Sequence, residues 1–295
     1  MDWLTTFPHL DDELLRALKK SIDSGFRDFT RAYGDTIELF FEPVKWFLIH
    51  VERFMTGMPW PLILLLIGGL VWFGSRSWKI TIGSVVTLLL IGFFDMWDDT
   101  MKTISMTFVC TVLSIIIGIP IGIAMSRSNR VQAVINPILD VMQTMPSFVY
   151  LIPVVMLLGI GKVPGLLAVV IYAIPPMIRL TNLGIRLVDK DVLEAADAFG
   201  SSNWQKLKNV QMPLALPTIM AGINQTIMMA LAMVVVASMI GVQGLGQPVL
   251  KAIANQYFTL GVFNGLAIVG IAIIFDRASQ AFGKRLQKHQ EVVHG

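Results

Sequence analysis

The sequence predicts an all-α integral membrane protein with about seven transmembrane helices, preceded by amphipathic N-terminal helices. Three observations carry this. Of 295 residues, 55% are hydrophobic and only 15% charged, where a soluble domain of this size carries roughly 25% charged residues. The apolar residues fall in long runs, which form membrane spans more readily than a soluble core. The cations collect in alternate connecting segments, as they do in chains that cross a bilayer repeatedly. The formal net charge of +3 is small and gives no indication of a nucleic-acid partner. The lone Cys110 lies inside the apolar run Thr107–Ile117, which excludes an internal disulfide and a Cys-rich metal site; it reads as a buried small residue.

The N-terminal stretch MDWLTTFPHLDDELL is acidic and has no apolar run of signal-peptide length, so no cleaved signal is expected. From Leu10 to Tyr33, Leu14, Leu18, Ile22, Phe26 and Phe29 recur at steps of three and four, with charges on the other faces. A second amphipathic pattern runs from Ile37 through Phe41, Val44, Leu48 and Val51 to Phe54. Both are too charged to span, so each predicts a helix lying on the membrane surface or on the protein itself. This arm covers residues 1–58.

Seven spans are predicted near Pro61–Phe73, Ile80–Phe94, Ile104–Ser126, Phe148–Gly159, Leu166–Leu183, Thr218–Ile240 and Leu260–Phe275. The first two, within residues 59–100, are accessory to those that follow. Their connections fix an orientation. One side holds Arg76 and Lys79, Arg127 and Arg130, Arg186, Lys190, Lys206 and Lys208, then Arg277, Lys284, Arg285 and Lys288. The other side offers Lys102 among Asp95, Asp98 and Asp99, and beyond that Lys162 and Lys251. The positive-inside rule then sets the N-terminal arm outside and the 284–295 tail in the cytoplasm.

Residues 189–217, DKDVLEAADAFGSSNWQKLKNVQMPLALP, form the most informative stretch and fall on the cytoplasmic side. Val192, Ala196 and Phe199 make an apolar stripe, and Gly200 suits a left-handed helix cap. Ser201 or Ser202 caps a second helix carrying Trp204, Leu207 and Val210, and Pro213 is expected to stop it before the membrane is re-entered. The product is a helix–turn–helix hairpin in which Ala195 and Ala196 admit a close partner.

Glu194-Ala195-Ala196, then Gly200, then Met212-Pro213 and Leu216-Pro217-Thr218-Ile219 resemble the EAA loop of bacterial ABC importer permeases. The resemblance covers about Met101–Phe282 and implies the five-helix permease core of a type I importer, here residues 101–283. It implies that Glu194, Ala195, Ala196 and Gly200 build the hairpin that meets a separate ABC ATPase, with Asp197 and Phe199 flanking the contact. It further implies a homodimer of permeases, an extracytoplasmic solute-binding protein, and residence in the bacterial cytoplasmic membrane. Gln143-Thr144-Met145-Pro146-Ser147, Ala173–Arg179 and Gly241–Gly246 look like the subgroup that moves glycine betaine, proline betaine or choline. The long arm followed by two extra spans is similar to that subgroup too. An amino acid or other small solute is the alternative cargo.

Other residues carry two readings each. Pro120, Pro175 and Pro176 interrupt helix hydrogen bonding and are expected to kink their spans. With Gly118 and Gly122 near the first, the kinks either serve a pathway that opens on alternate sides or are ordinary breaks. Asn224, Gln225, Met228, Met229 and Met233 either line the route of a small solute or pack the sixth span. Arg179, near the end of the fifth span, is read as snorkelling. Tryptophans at positions 3, 46, 60, 72, 78 and 97 sit near span ends and form no cage for a quaternary amine.

No phosphate-binding loop is present, since Gly161-Lys162 is followed by Val163, so ATP hydrolysis is expected on another subunit. No metal or other cofactor is expected. An intramembrane hydrolase is opposed by missing nucleophile and metal motifs. A stand-alone secondary transporter would need carboxylates within the spans or an inverted repeat, and would have no use for the hairpin.

Overall fold

The arm that the periodicity divides in two folds as one helix. The computed structural model describes residues 10–294, with side chains through Gly283 and at Arg285. Residues 1–9 of the arm, with Trp3, the side chains of Lys284 and Lys288, and Gly295 lie outside the described residues. Helix α1 runs unbroken over Asp12–Gly57, with Asp12 and Glu13 in the first turn, where carboxylates meet the positive end of the helix dipole. Gly34, between the two patterns, costs a helix about 1 kcal/mol relative to alanine, but tertiary contact outweighs this. A Cβ at Gly34 would stand 3.4 Å from the Leu157 carbonyl oxygen, in ordinary contact, so α1 passes beside that segment here. Gly34 and Leu48 are the two buried residues of α1.

The chain turns by 113° after Gly57 into α2, Trp60–Ser75, and returns through α3, Trp78–Phe93. At 16 residues each, these helices are about 24 Å long, short of a roughly 30 Å hydrocarbon layer. Helix α4 covers Trp97–Arg127 and α5 Asn129–Thr144. A 3₁₀ turn at Ser147–Tyr150 leads into α6, Leu151–Leu158, and the pair is bent by 109° from α5. The predicted fourth span is therefore the second limb of a broken helix, because Pro146 lacks the N–H that would carry α5 onward.

Helix α7 is Lys162–Arg186, α8 Lys190–Ala198 and α9 Asn203–Lys206. A π turn over Leu207–Gln211 joins α9 to α10, Met212–Ala237, and a 3₁₀ turn at Ser238–Ile240 precedes α11, Gly246–Asn255, and α12, Phe258–His294. Helices thus occupy all seven predicted apolar segments. Among the described residues, four stretches are long and apolar enough to cross a membrane unaided, namely α4, α7, Asn203–Ile240 and Phe258–Gly283, and counting each bent pair as one span raises the number to six. Pro213 does not stop a helix: Asn203–Ile240 is helical throughout. The wider π turn directly before α10 takes up the local misfit, and Pro213 sits in the first turn of α10, where a missing N–H is tolerated.

The core is built by glycine. Helix α7 packs between α4 and α10 and is buried along most of its length. A Cβ on Gly122 would meet Thr181 Cβ at 2.6 Å and the Ile178 carbonyl at 2.8 Å; one on Gly118 would meet Met177 at 2.8 Å. Close approach of backbones is the main source of association between helices that share an apolar solvent. Gly118 and Gly122 are accordingly packing residues between α4 and α7. The hydroxyls of Ser105, Thr111 and Ser114 on α4 donate to carbonyls one turn back, at 2.7–2.8 Å, so their burial is compensated. A second cluster joins α2, α3 and α12 through Ile63, Leu88, Ile91 and Ile271.

Candidate functional site

The hairpin between α7 and α10 is closed by local chemistry. Asp189 caps α8 by accepting from the Asp191 amide at 2.9 Å. The helix ends with Gly200 at φ +75°, while Ser201 N–H donates to Ala196 O at 3.0 Å and Gly200 N–H to Asp197 O at 2.9 Å. These are the paired bonds of a glycine-terminated helix, and a side chain at position 200 would be strained. Ser202 then caps α9 reciprocally: its hydroxyl accepts from Gln205 N–H at 3.3 Å, and its own N–H donates to Gln205 Oε1 at 2.8 Å.

Long-range bonds fasten this hairpin to the spans. Arg127 at the end of α4 donates to Asn203 O at 2.7 Å. Arg186 at the end of α7 donates to Met125 O at 2.8 Å and to Asn182 Oδ1 at 3.0 Å. Lys206 pairs with Asp197 across the hairpin. Behind it opens a cavity of about 490 Å³ lined by Arg127, Arg186, Lys190 and Lys206 among others. The hairpin is thus a capped projection whose base is bonded to α4 and α7.

Its outer surface is unusual for a solvated loop. Phe199 is 91% exposed and Trp204 66%, and Val192, Glu194, Ala195 and Asp197 are also exposed. Along the predicted stripe of Val192, Ala196 and Phe199 burial is uneven: Ala196 is buried in the chain, whereas Val192 and Phe199, the latter at the helix end, are exposed. Of the two alanines, only Ala195 faces outward. Leu207 is buried with Met177, Ile185 and Ile219, which ties the second limb to the spans. Large apolar side chains beside carboxylates on a capped projection are the makings of a protein-docking surface.

The five residues considered for a pathway divide. Met233 is 1% exposed and belongs to the core, with Met229 packed against it. Asn224 joins α10 to α12: its amide donates to Asp276 Oδ1 at 2.9 Å and its oxygen accepts from Ser279 Oγ at 2.6 Å. Gln225 and Met228 remain on the exposed side of α10. Pro120 and Pro175-Pro176 lie inside α4 and α7, and both helices continue through them. Arg179 does not merely snorkel, for its guanidinium pairs with Asp140 of α5.

Three polar links escaped sequence reasoning: Glu52 with Lys162, both carboxylate oxygens at 2.7 Å, Asp140 with Arg179, and Asp276 with Asn224. The available signal was a charge at the edge of an apolar run, which names one partner and never the other.

Comparison with known proteins agrees with this architecture. Residues 114–288 match the family described as binding-protein-dependent transport system inner membrane component. A glycine betaine/carnitine transport permease protein, GbuB of Listeria monocytogenes, is 51% identical over 77% of this chain and 81% of its own. ProW of Escherichia coli, a glycine betaine/proline betaine transport system permease protein, is 46% identical over 82% of this chain and 68% of its own. OpuAB of Bacillus subtilis, a glycine betaine transport system permease protein, is 44% identical over 78% and 82%. Among solved structures, a chain of the MetNI methionine ABC transporter in inward-facing conformations superposes with a TM-score of 0.58 at 19% identity, covering 63% of this chain and 93% of that one. At that identity the likeness concerns the fold alone.

Proposed function

The chain belongs to the family of inner-membrane components of binding-protein-dependent transport systems, and from that premise we propose that it is the multi-pass permease subunit of an ATP-driven importer for a small betaine. The observation that carries the mechanism is the hairpin of residues 189–211, capped at both helices, bonded to α4 and α7, and presenting Phe199 and Trp204 outward. In this reading Glu194, Ala195, Phe199 and Gly200 dock into a separate ATPase, with Asp197 holding the two limbs together through Lys206. Closure of two ATPases displaces two hairpins, and the bonds from Arg127 and Arg186 pass that displacement to the core helices. The permease performs no covalent chemistry; each ligand acts by favouring one conformation over another.

Two copies of the chain would face each other, and an external receptor would deliver the solute to the mouth between them. Gln225 and Met228 are the α10 residues left to line that route. The cargo assignment follows the names of the relatives, whose betaines share a methylated cationic nitrogen and a carboxylate. The arm would lie outside, along the bilayer surface. The 113° turn between α1 and α2 supports this, as does the exposed stripe of Leu14, Leu18, Ile22 and Phe29.

The test is uptake of labelled glycine betaine into proteoliposomes that hold the permease, its ATPase and its receptor. Wild type should accumulate the label only with ATP, and Glu194→Lys should reduce uptake at least tenfold in an assembled complex. Movement of solute without an ATPase would sink the importer reading.

A further inference from the structure

We propose that Asp140 and Arg179 form a recognition point for a zwitterionic quaternary amine within the permease, Asp140 taking the ammonium end and Arg179 the carboxylate. The proposal rests on the betaine reading above and adds to it a site that no receptor supplies.

The placement is the first argument. Arg179 stands seven residues before Arg186, about 10 Å along the axis of α7 from its charged end. A charge at that depth is costly unless it is paired or faces water. It is paired, yet the pair is not sealed: 38% of the Arg179 side chain and 62% of that of Asp140 are exposed on the chain's own surface. Arg179 Nε, by contrast, is buried without a hydrogen-bond acceptor. The exposed edge of the guanidinium, rather than this buried Nε, is where a second carboxylate can be received.

The broken helix is the second. Between α5 and the turn at Ser147 the backbone bends by 109°, and Pro146 at that break is exposed. Irregular backbone at membrane depth is tolerated where it is buried in protein or lines a water-filled cavity. Pro146 is uncovered by its own chain, and Asp140, six residues before it on α5, is exposed as well. Tyr172 lies two turns from Arg179 on the same face of α7, half-buried, its ring held edge-on by the buried Tyr150 at 6.1 Å between centroids. Its ring face attracts a methylated ammonium. Pro175 and Pro176 fall between the two and remove the N–H groups that would bond the carbonyls of Ile171 and Tyr172, so this stretch of α7 is the one best able to flex.

The chemistry selects the ligand. A neutral solute that opened the pair would leave two charges unpartnered. A cation lacking a carboxylate would satisfy Asp140 and strand Arg179. Only a zwitterion exchanges one ion pair for two, which is the inexpensive way to part charges away from bulk water.

Titration by saturation-transfer NMR, with the permease–ATPase complex in lipid nanodiscs and no receptor, tests this directly. Wild type should bind glycine betaine at least fivefold more tightly than choline, a comparison that needs no variant. Arg179→Gln should erase that preference, Asp140→Asn should weaken both ligands at least tenfold, and Arg179→Lys should keep most of the preference. Co-elution with the ATPase certifies that each variant has assembled. No binding to wild type, equal binding of the two ligands, or unchanged binding in both neutral variants overturns the site. If betaine uptake by the complete system persists in that case, only this site fails. If the complete system moves no betaine, the functional reading falls and takes the site with it.

Discussion

Helix α1 and helix α7 are both long, but they are held by opposite means. Helix α7 is buried along most of its 25 residues and meets neighbours through glycines on both sides: Gly118 and Gly122 of α4, and Gly222 of α10 beneath Leu180. Helix α1 has 46 residues and buries two. It is attached by Leu48 in the core, by Gly34 against Leu157 and by the Glu52–Lys162 ion pair. The difference shows how a membrane protein divides its chain. Where lipid tails compete for apolar side chains, close backbone approach decides which helices associate. Where a helix is amphipathic and peripheral, a few anchors suffice and the remaining stripe is left for another medium.

The sharpest way to break this contrast is in the core. Gly122→Leu forces a side chain into Thr181 and the Ile178 carbonyl, and should cost about 3 kcal/mol or more. It would be read as a large drop in the midpoint of thermal inactivation of the purified complex; a wild-type midpoint would mean that the α4–α7 contact is not tight. Next comes the arm's apolar anchor. Leu48 is 2% exposed, and Leu48→Ala should cost about 2 kcal/mol, with faster proteolysis of the arm and less effect on the core. The polar anchor is weaker. Glu52 is the more buried partner of a pair that still meets solvent, so Glu52→Gln should cost about 1 kcal/mol and chiefly loosen the arm. A cost equal to that of Leu48→Ala would mark the pair as a principal tether. Smallest is the stripe: Leu18 is half-exposed, and Leu18→Ser should change stability in detergent by less than about 0.5 kcal/mol. The same change should weaken binding of an isolated arm peptide to vesicles; equal binding by both peptides would remove the lipid-surface reading of α1.

The hairpin was the most legible region, since its determinants are short-range. Gly200 at a helix end and Ser202 three residues before Gln205 act within a turn of themselves, and both perform as their residue types require. Pro213 misled because a proline's effect depends on the backbone before it. The π turn at Leu207–Gln211 converts a helix stop into a helix start. The division of the arm into two patterns misled in the opposite sense, since α1 runs unbroken through Gly34 between them. Among the pathway candidates, composition could not separate Met233 from Met228: five residues apart on one helix, one meets the core and the other faces out.

The sequence by itself determined where the chain is apolar, where the first hairpin helix ends and the second begins, and which connections carry positive charge. These follow from hydropathy and from bonds spanning three to five residues. Only the tertiary structure decided that α1 is one helix, that α5 and α6 meet at 109°, and that Glu52 reaches Lys162 across 110 residues, Asn224 reaches Asp276 across 52, and Arg179 reaches Asp140 across 39. Periodicity places a side chain on a face of its own helix. Which helix stands opposite that face depends on the packing of the whole chain, and no local spacing records it.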